Sequence, residues 1–147
     1  MKSRTKKIIG FITILVLAGA AVAWYLFTDT FADTAARKVD YTVEAMDFIK
    51  EFEKDNKLAN QKYTEKIIAV NGTVSEVESA DTTTNIKMID TESGSYIIFA
   101  FQQQHLADAK MLKTGDKVSI KGSCSGGTYS EILETELISF KRCAINK

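Results

Sequence analysis

One histidine and two cysteines hold most of the chemical potential of this 147-residue chain. His105 follows Gln102, Gln103 and Gln104, and no cysteine or cluster of carboxylates lies beside it in sequence. A lone imidazole in that setting is a poor start for a metal site or a general base. Cys124 sits at the centre of Gly122-Ser123-Cys124-Ser125-Gly126. A serine nucleophile elbow needs its serine at that central position, so the motif reads instead as a turn around a small buried thiol. A thiol nucleophile there would need His105 beside it in the fold. No catalytic residue, metal site or cofactor is therefore expected. What remains is a cation and three rings, Lys87, Tyr96, Phe99 and Phe101, which could hold a ligand by stacking and charge, or could be core.

The elements that must position these residues begin with an apolar run. From Ile8 to Phe27 every residue is apolar, small or aromatic except Thr13 and the amphipathic Tyr25. Twenty residues at roughly 1.5 Å per residue match the roughly 30 Å hydrocarbon layer of a bilayer. Lys2, Arg4, Lys6 and Lys7 precede the run, and the first acid is Asp29. That asymmetry keeps the N-terminus cytoplasmic and exports the rest. The alternative is a signal peptide cut near Ala23, after the small residues Ala21-Val22-Ala23. Both readings export the domain; residues 1–27 form the head and anchor, and 28–40 a linker.

Residues 41–147 read as one domain. Beyond residue 27 the chain carries 15 basic and 19 acidic side chains, about −4 in all. A mildly acidic domain gains no long-range attraction to a phosphate backbone. Val43, Met46, Phe48, Ile49, Phe52 and Leu58 predict an amphipathic helix over about 42–60, capped by Thr42. The period then changes to two. Strands are predicted over about 66–75, 86–89 and 96–102, followed by a short helix over 104–112 and strands over 117–122 and 131–140. Gly72 suggests a bend within the first strand, and Ser125-Gly126-Gly127 a turn between the last two. Placed across that turn, Cys124 and Cys143 lie far apart, and a disulfide needs the tail after Phe140 to fold back. The fold expected is mainly β with helices: a five-stranded, closed Greek-key barrel of the OB type, preceded by an amphipathic helix and an N-terminal transmembrane helix.

Two stretches match a known pattern. Asn56, Ala59-Asn60, Tyr63, Lys66 and Val70-Asn71-Gly72-Thr73-Val74, followed by Leu112-Lys113-Thr114-Gly115-Asp116-Lys117-Val118 and Lys121-Gly122-Ser123-Cys124-Ser125-Gly126, resemble the tRNA-anti-like family of bacterial OB-fold proteins. The resemblance spans roughly residues 41–140. It implies a fold and an exported or lipid-anchored setting, without a catalytic motif. Members of the family often carry a second cysteine in the last strand, where this chain has Thr135 or Glu136 and places its cysteine at 143.

OB barrels bind ligands across their second and third strands, which selects Lys87, Tyr96, Phe99 and Phe101 as the candidate face. The third strand has no lysine or arginine, which disfavours single-stranded nucleic acid. The expectation is a non-enzymatic binding module, single-pass in a bacterial cytoplasmic membrane with its domain outside. Its partners would be the bilayer, through Ile8–Phe27, and an envelope protein, peptide or saccharide. The alternatives are a periplasmic protein after cleavage and a single-stranded nucleic-acid binder.

Overall fold

The computed structural model describes residues 3–28 and 32–147. They belong to two units, residues 1–32 and 33–147, each described by itself. Residues 29–31 of the expected linker and the first two of the basic head lie outside the described residues.

The first unit holds helix α1 (Ser3–Thr28), whose stretch Thr5–Leu26 is long and apolar enough to cross a membrane. Its large side chains are open rather than packed in a core; Ile14, Val16 and Leu17 are each about two-thirds exposed. Thr13, the polar interruption, returns its hydroxyl to the Ile9 carbonyl at 2.9 Å, so the helix itself satisfies the group.

The second unit corrects the expected single helix. Tyr41–Glu44 form strand β1, and the helix divides into α2 (Ala45–Lys54) and α3 (Asn56–Tyr63). Two forces produce this. Asp40 takes a two-sided grip on Ile67, its amide donating to the Ile67 carbonyl and its carboxylate accepting from the Ile67 amide. That grip draws the β-forming residues Tyr41, Thr42 and Val43 alongside the next strand. Asp55 then leaves helical geometry, and its side chain accepts from the Leu58 amide to cap α3. Thr42 is thus a strand residue, and Glu44 precedes α2 without a side-chain cap. Ala45, Phe48, Ile49 and Phe52 form the buried stripe of α2.

Seven strands follow the order β1-β2-β6-β7-β5-β4-β3 in one mixed sheet. They are β2 (Ile67–Thr73), β3 (Glu76–Ser79), β4 (Thr84–Ile89), β5 (Tyr96–Phe101), β6 (Lys117–Ser130) and β7 (Thr135–Ile145), with helix α4 (Leu106–Lys110) after β5. Pairs β1–β2 and β5–β7 are parallel and the others antiparallel. The fold is OB-like, but the expected closed five-stranded barrel is replaced by an open hydrogen-bonded ladder. The cause lies at Val74 and Ser75. Val74 bonds with Asp116 and Gly115 on the β6 side, whereas the Ser75 amide turns to the Lys87 carbonyl in β4. The predicted strand 66–75 thereby ends at Thr73, an unforeseen strand, β3, forms over 76–79 before the next predicted one, and the bend falls two residues after Gly72.

The hairpin between β6 and β7 also moves. Ser125-Gly126-Gly127 lies within β6, where a register shift between Cys124 and Gly126 marks a bulge; the turn is at residues 131–134. Gly126 has φ +105°. A methyl group on Gly127 would lie 2.5 Å from the Phe52 ring. Asn60 fits itself to this site, accepting from the Gly127 amide and donating to its carbonyl at 2.8 and 2.9 Å. Helices α2 and α3 thus seal one end of a core built on Phe48, Phe99, Ile120, Ile138 and Phe140.

Residues from Asp33 onward are docked, where a linker was expected. Thr34 is buried in the 3-10 turn Thr34–Ala36, and Lys121, itself 6% exposed, donates to the carbonyls of Ala35 and Arg37. His105 meets Asp33 at 2.6 Å and holds its carboxyl below the usual carboxylate range.

Both cysteines are free thiols with no accessible surface. β7 continues to Ile145, so Cys143 is a strand residue against Gly122 rather than part of a tail. Burial pushes the Cys124 thiol up to about 11 and raises Cys143 as well. Native protein is expected to leave a disulfide-exchange reagent unconsumed at pH 8 and to consume two equivalents once denatured, read as thiolate release.

Candidate functional site

The period of two on β5 divides the expected face. Ile97, Phe99 and Phe101 turn inward, and Tyr96, Ile98 and Ala100 outward. Phe99 is completely buried, its ring 5.1 Å from that of Phe140, and Phe101 is 9% exposed opposite Cys143. Both rings are core. Lys87 and Tyr96 remain together on the outer face, with the Lys87 ammonium 5.6 Å above the Tyr96 ring.

Strand register assembles the rest of that face. One row runs Glu76, Lys87, Ile98, Ser139, and the next Ile89, Tyr96, Leu137, Thr128. Ile98 and Leu137 are half-buried, and sequence reading missed both. Their signal was position: each stands opposite a residue already chosen, which only pairing reveals. From Leu137 the strand leads back to the β6–β7 turn, where Ile132 is 94% exposed between Glu131 and Glu134, with Leu133 beside it.

Charge decides what this surface can accept. Lys87 is the only basic residue from Glu76 to Phe101. It is paired with both Glu76 and Glu78, and its hydrogen bond to Glu78 holds it charged above the usual lysine range. Asp81 and Glu92 in the flanking turns, with Glu131 and Glu134, add only negative charge. The face is an apolar strip with a largely acidic border; Lys87 is neutralised on it, and Lys141, the next outward residue of β7 after Ser139, is paired with Glu65.

Other concavities offer less. Two shallow grooves of about 430 and 470 Å³ share Glu44, Asn71, Gly72 and Thr73, and polar and apolar groups mix in their walls. Among the described residues no three His, Cys, Asp or Glu side chains are grouped to hold a metal ion. His105 binds Asp33 rather than facing Cys124, so the two do not form a catalytic pair.

The family motif residues Asn56 and Asn60 prove to be fasteners. Asn56 donates to both carboxylate oxygens of Glu136 at 2.9 Å and to the Gly127 carbonyl, and Asn60 grips Gly127. A family model for tRNA_anti-like proteins matches residues 1–135. The chain belongs to the tRNA_anti-like family. Among solved structures, a Klebsiella pneumoniae lipoprotein to which nucleic-acid binding is provisionally ascribed is similar over 71% of this chain and 91% of its own, at 18% identity and TM-score 0.57. An OBody in complex with hen egg-white lysozyme covers 58% of this chain and 87% of its own, at 20% identity and TM-score 0.44. The likeness to the Klebsiella lipoprotein concerns the fold. No curated protein matches the chain.

Glu136 makes the site's underside sensitive to pH. It is 1% exposed, and burial raises its carboxyl above the ordinary value, against the pull of Asn56. A carboxyl raised in the folded state costs stability as pH climbs from its unfolded value through its folded one. Glu136→Gln is therefore expected to stabilise the domain near pH 7.5 by on the order of 1 kcal/mol. The gain should vanish near pH 4, where both states carry the proton; thermal melts at the two pH values check it.

Proposed function

We propose that this tRNA_anti-like protein is a membrane-anchored, extracytoplasmic binding module without catalytic activity. In this reading α1 is retained in the bacterial cytoplasmic membrane, with the N-terminus inside. The outer face of β4, β5 and β7 engages a protein, peptide or saccharide of the cell envelope. One observation carries the reading: Lys87 is held between Glu76 and Glu78, beside the apolar surface of Tyr96, Ile98 and Leu137, and Lys141, farther along β7, is paired with Glu65. A phosphate backbone needs free cations to displace its counterions, and here it would meet carboxylates. Length, apolarity and the preceding cations support the anchor, and cleavage near Ala23 is its competitor. Mass measurement of the membrane-extracted protein separates the two.

A second reading, single-stranded nucleic-acid binding, is favoured by the name of the Klebsiella lipoprotein and by the accessible Tyr96 ring. Fluorescence anisotropy with labelled oligonucleotides across a salt series decides between them. The wild-type protein is expected to show no salt-dependent binding. Glu76→Gln with Glu78→Gln, which frees Lys87, should introduce a weak affinity that salt abolishes. Tight wild-type binding that falls steeply with salt and is lost in Lys87→Ala would sink the first reading.

A further inference from the structure

The two ends of β6 carry opposite charge. At its far end the turn presents Glu131, Ile132, Leu133 and Glu134. Its near end follows α4 and presents Lys110, Met111, Lys113 and Lys117, all exposed, with Asp116 as the only acid between Lys110 and Lys117. Met111 is 76% exposed, an apolar side chain standing open between two ammonium groups. A domain with an acidic total thus keeps one basic, apolar tip.

That tip adjoins the point where the chain enters the folded unit. Asp33 is held by His105, and His105 is the residue from which α4 begins. Lys110 ends that five-residue helix. Between Thr28, the last residue of α1, and Asp33 lie four residues.

We propose that the turn Lys110–Lys117 is a lipid-contacting surface, with Lys110, Lys113 and Lys117 on anionic headgroups and Met111 entering the interface. The proposal rests on α1 being a retained anchor. Charge and tether favour a bilayer as the occupant. Lysines near an anionic surface are each attracted to it, and only four residues of sequence separate the apolar helix from Asp33, which His105 holds. The opposite end of the strand, with its two glutamates, is repelled by the same surface.

The test uses the full chain carrying Met111→Cys or Ile132→Cys, labelled with an environment-sensitive fluorophore; Cys124 and Cys143 are buried and stay unlabelled. It is reconstituted in vesicles of phosphatidylcholine and phosphatidylglycerol containing a lipid spin-labelled near the headgroup. The expected result is about threefold more quenching at position 111 than at 132, roughly halved by Lys110→Glu with Lys113→Glu. Equal quenching at the two positions, or none at 111, in protein that floats with the vesicles overturns the contact and leaves the anchor standing. Protein that fails to float overturns both.

Discussion

The contact on which the rest of the domain depends is the bare backbone of Gly126 and Gly127 lying against Phe52 and Asn60. Any side chain at either position would occupy space already filled by the ring or the amide. Because both are glycine, α2 and α3 come close enough for Asn60 to act as a substitute strand, taking the Gly127 amide and carbonyl beyond the point where β2 stops pairing with β6. β6 can then run on for fourteen residues instead of turning back. That continuity lets one strand pair with β2 at one end and with β7 along most of its length, while delivering Lys121, Cys124 and the far turn to separate parts of the molecule.

Polar groups in this fold are mostly used to hold the chain to itself. Tyr63 and Lys62 share Glu51, Ser95 bridges Glu53 and the Glu136 amide, and Lys87 is paired twice. No buried side-chain nitrogen or oxygen among the described residues lacks a hydrogen-bond partner. Active sites are commonly betrayed by groups that are strained, unpaired or held against their preferred charge state, and the candidate face has none. Its distinguishing property is accessible apolar area bordered by charges that are largely acidic or already paired.

The regular strands were legible because alternation is a local property: 67–73, 84–89, 96–101 and the start of β6 all announce themselves. β1 was not, since four residues running straight into a helix blend with its apolar spacing. The break at Asp55 was hidden because aspartate is as common on a solvent-facing helical turn as at a cap. Gly126-Gly127 reads equally as a turn or a bulge, and only the approach of Phe52 and Asn60 decides. Half of the candidate site was legible in type and half misassigned in face. The strand period alone separates Tyr96 from Phe99 and Phe101, whereas Ile98 and Leu137 join it only through register, which is a tertiary fact.

The grip of Lys121 on Ala35 and Arg37 passes entirely through carbonyl oxygens. It recognises the path of the chain and ignores the identity of its side chains. Such a clasp places no demand on the side chains at positions 35 and 37. The start of the domain is thereby held in its course by a lysine eighty-odd residues away in sequence.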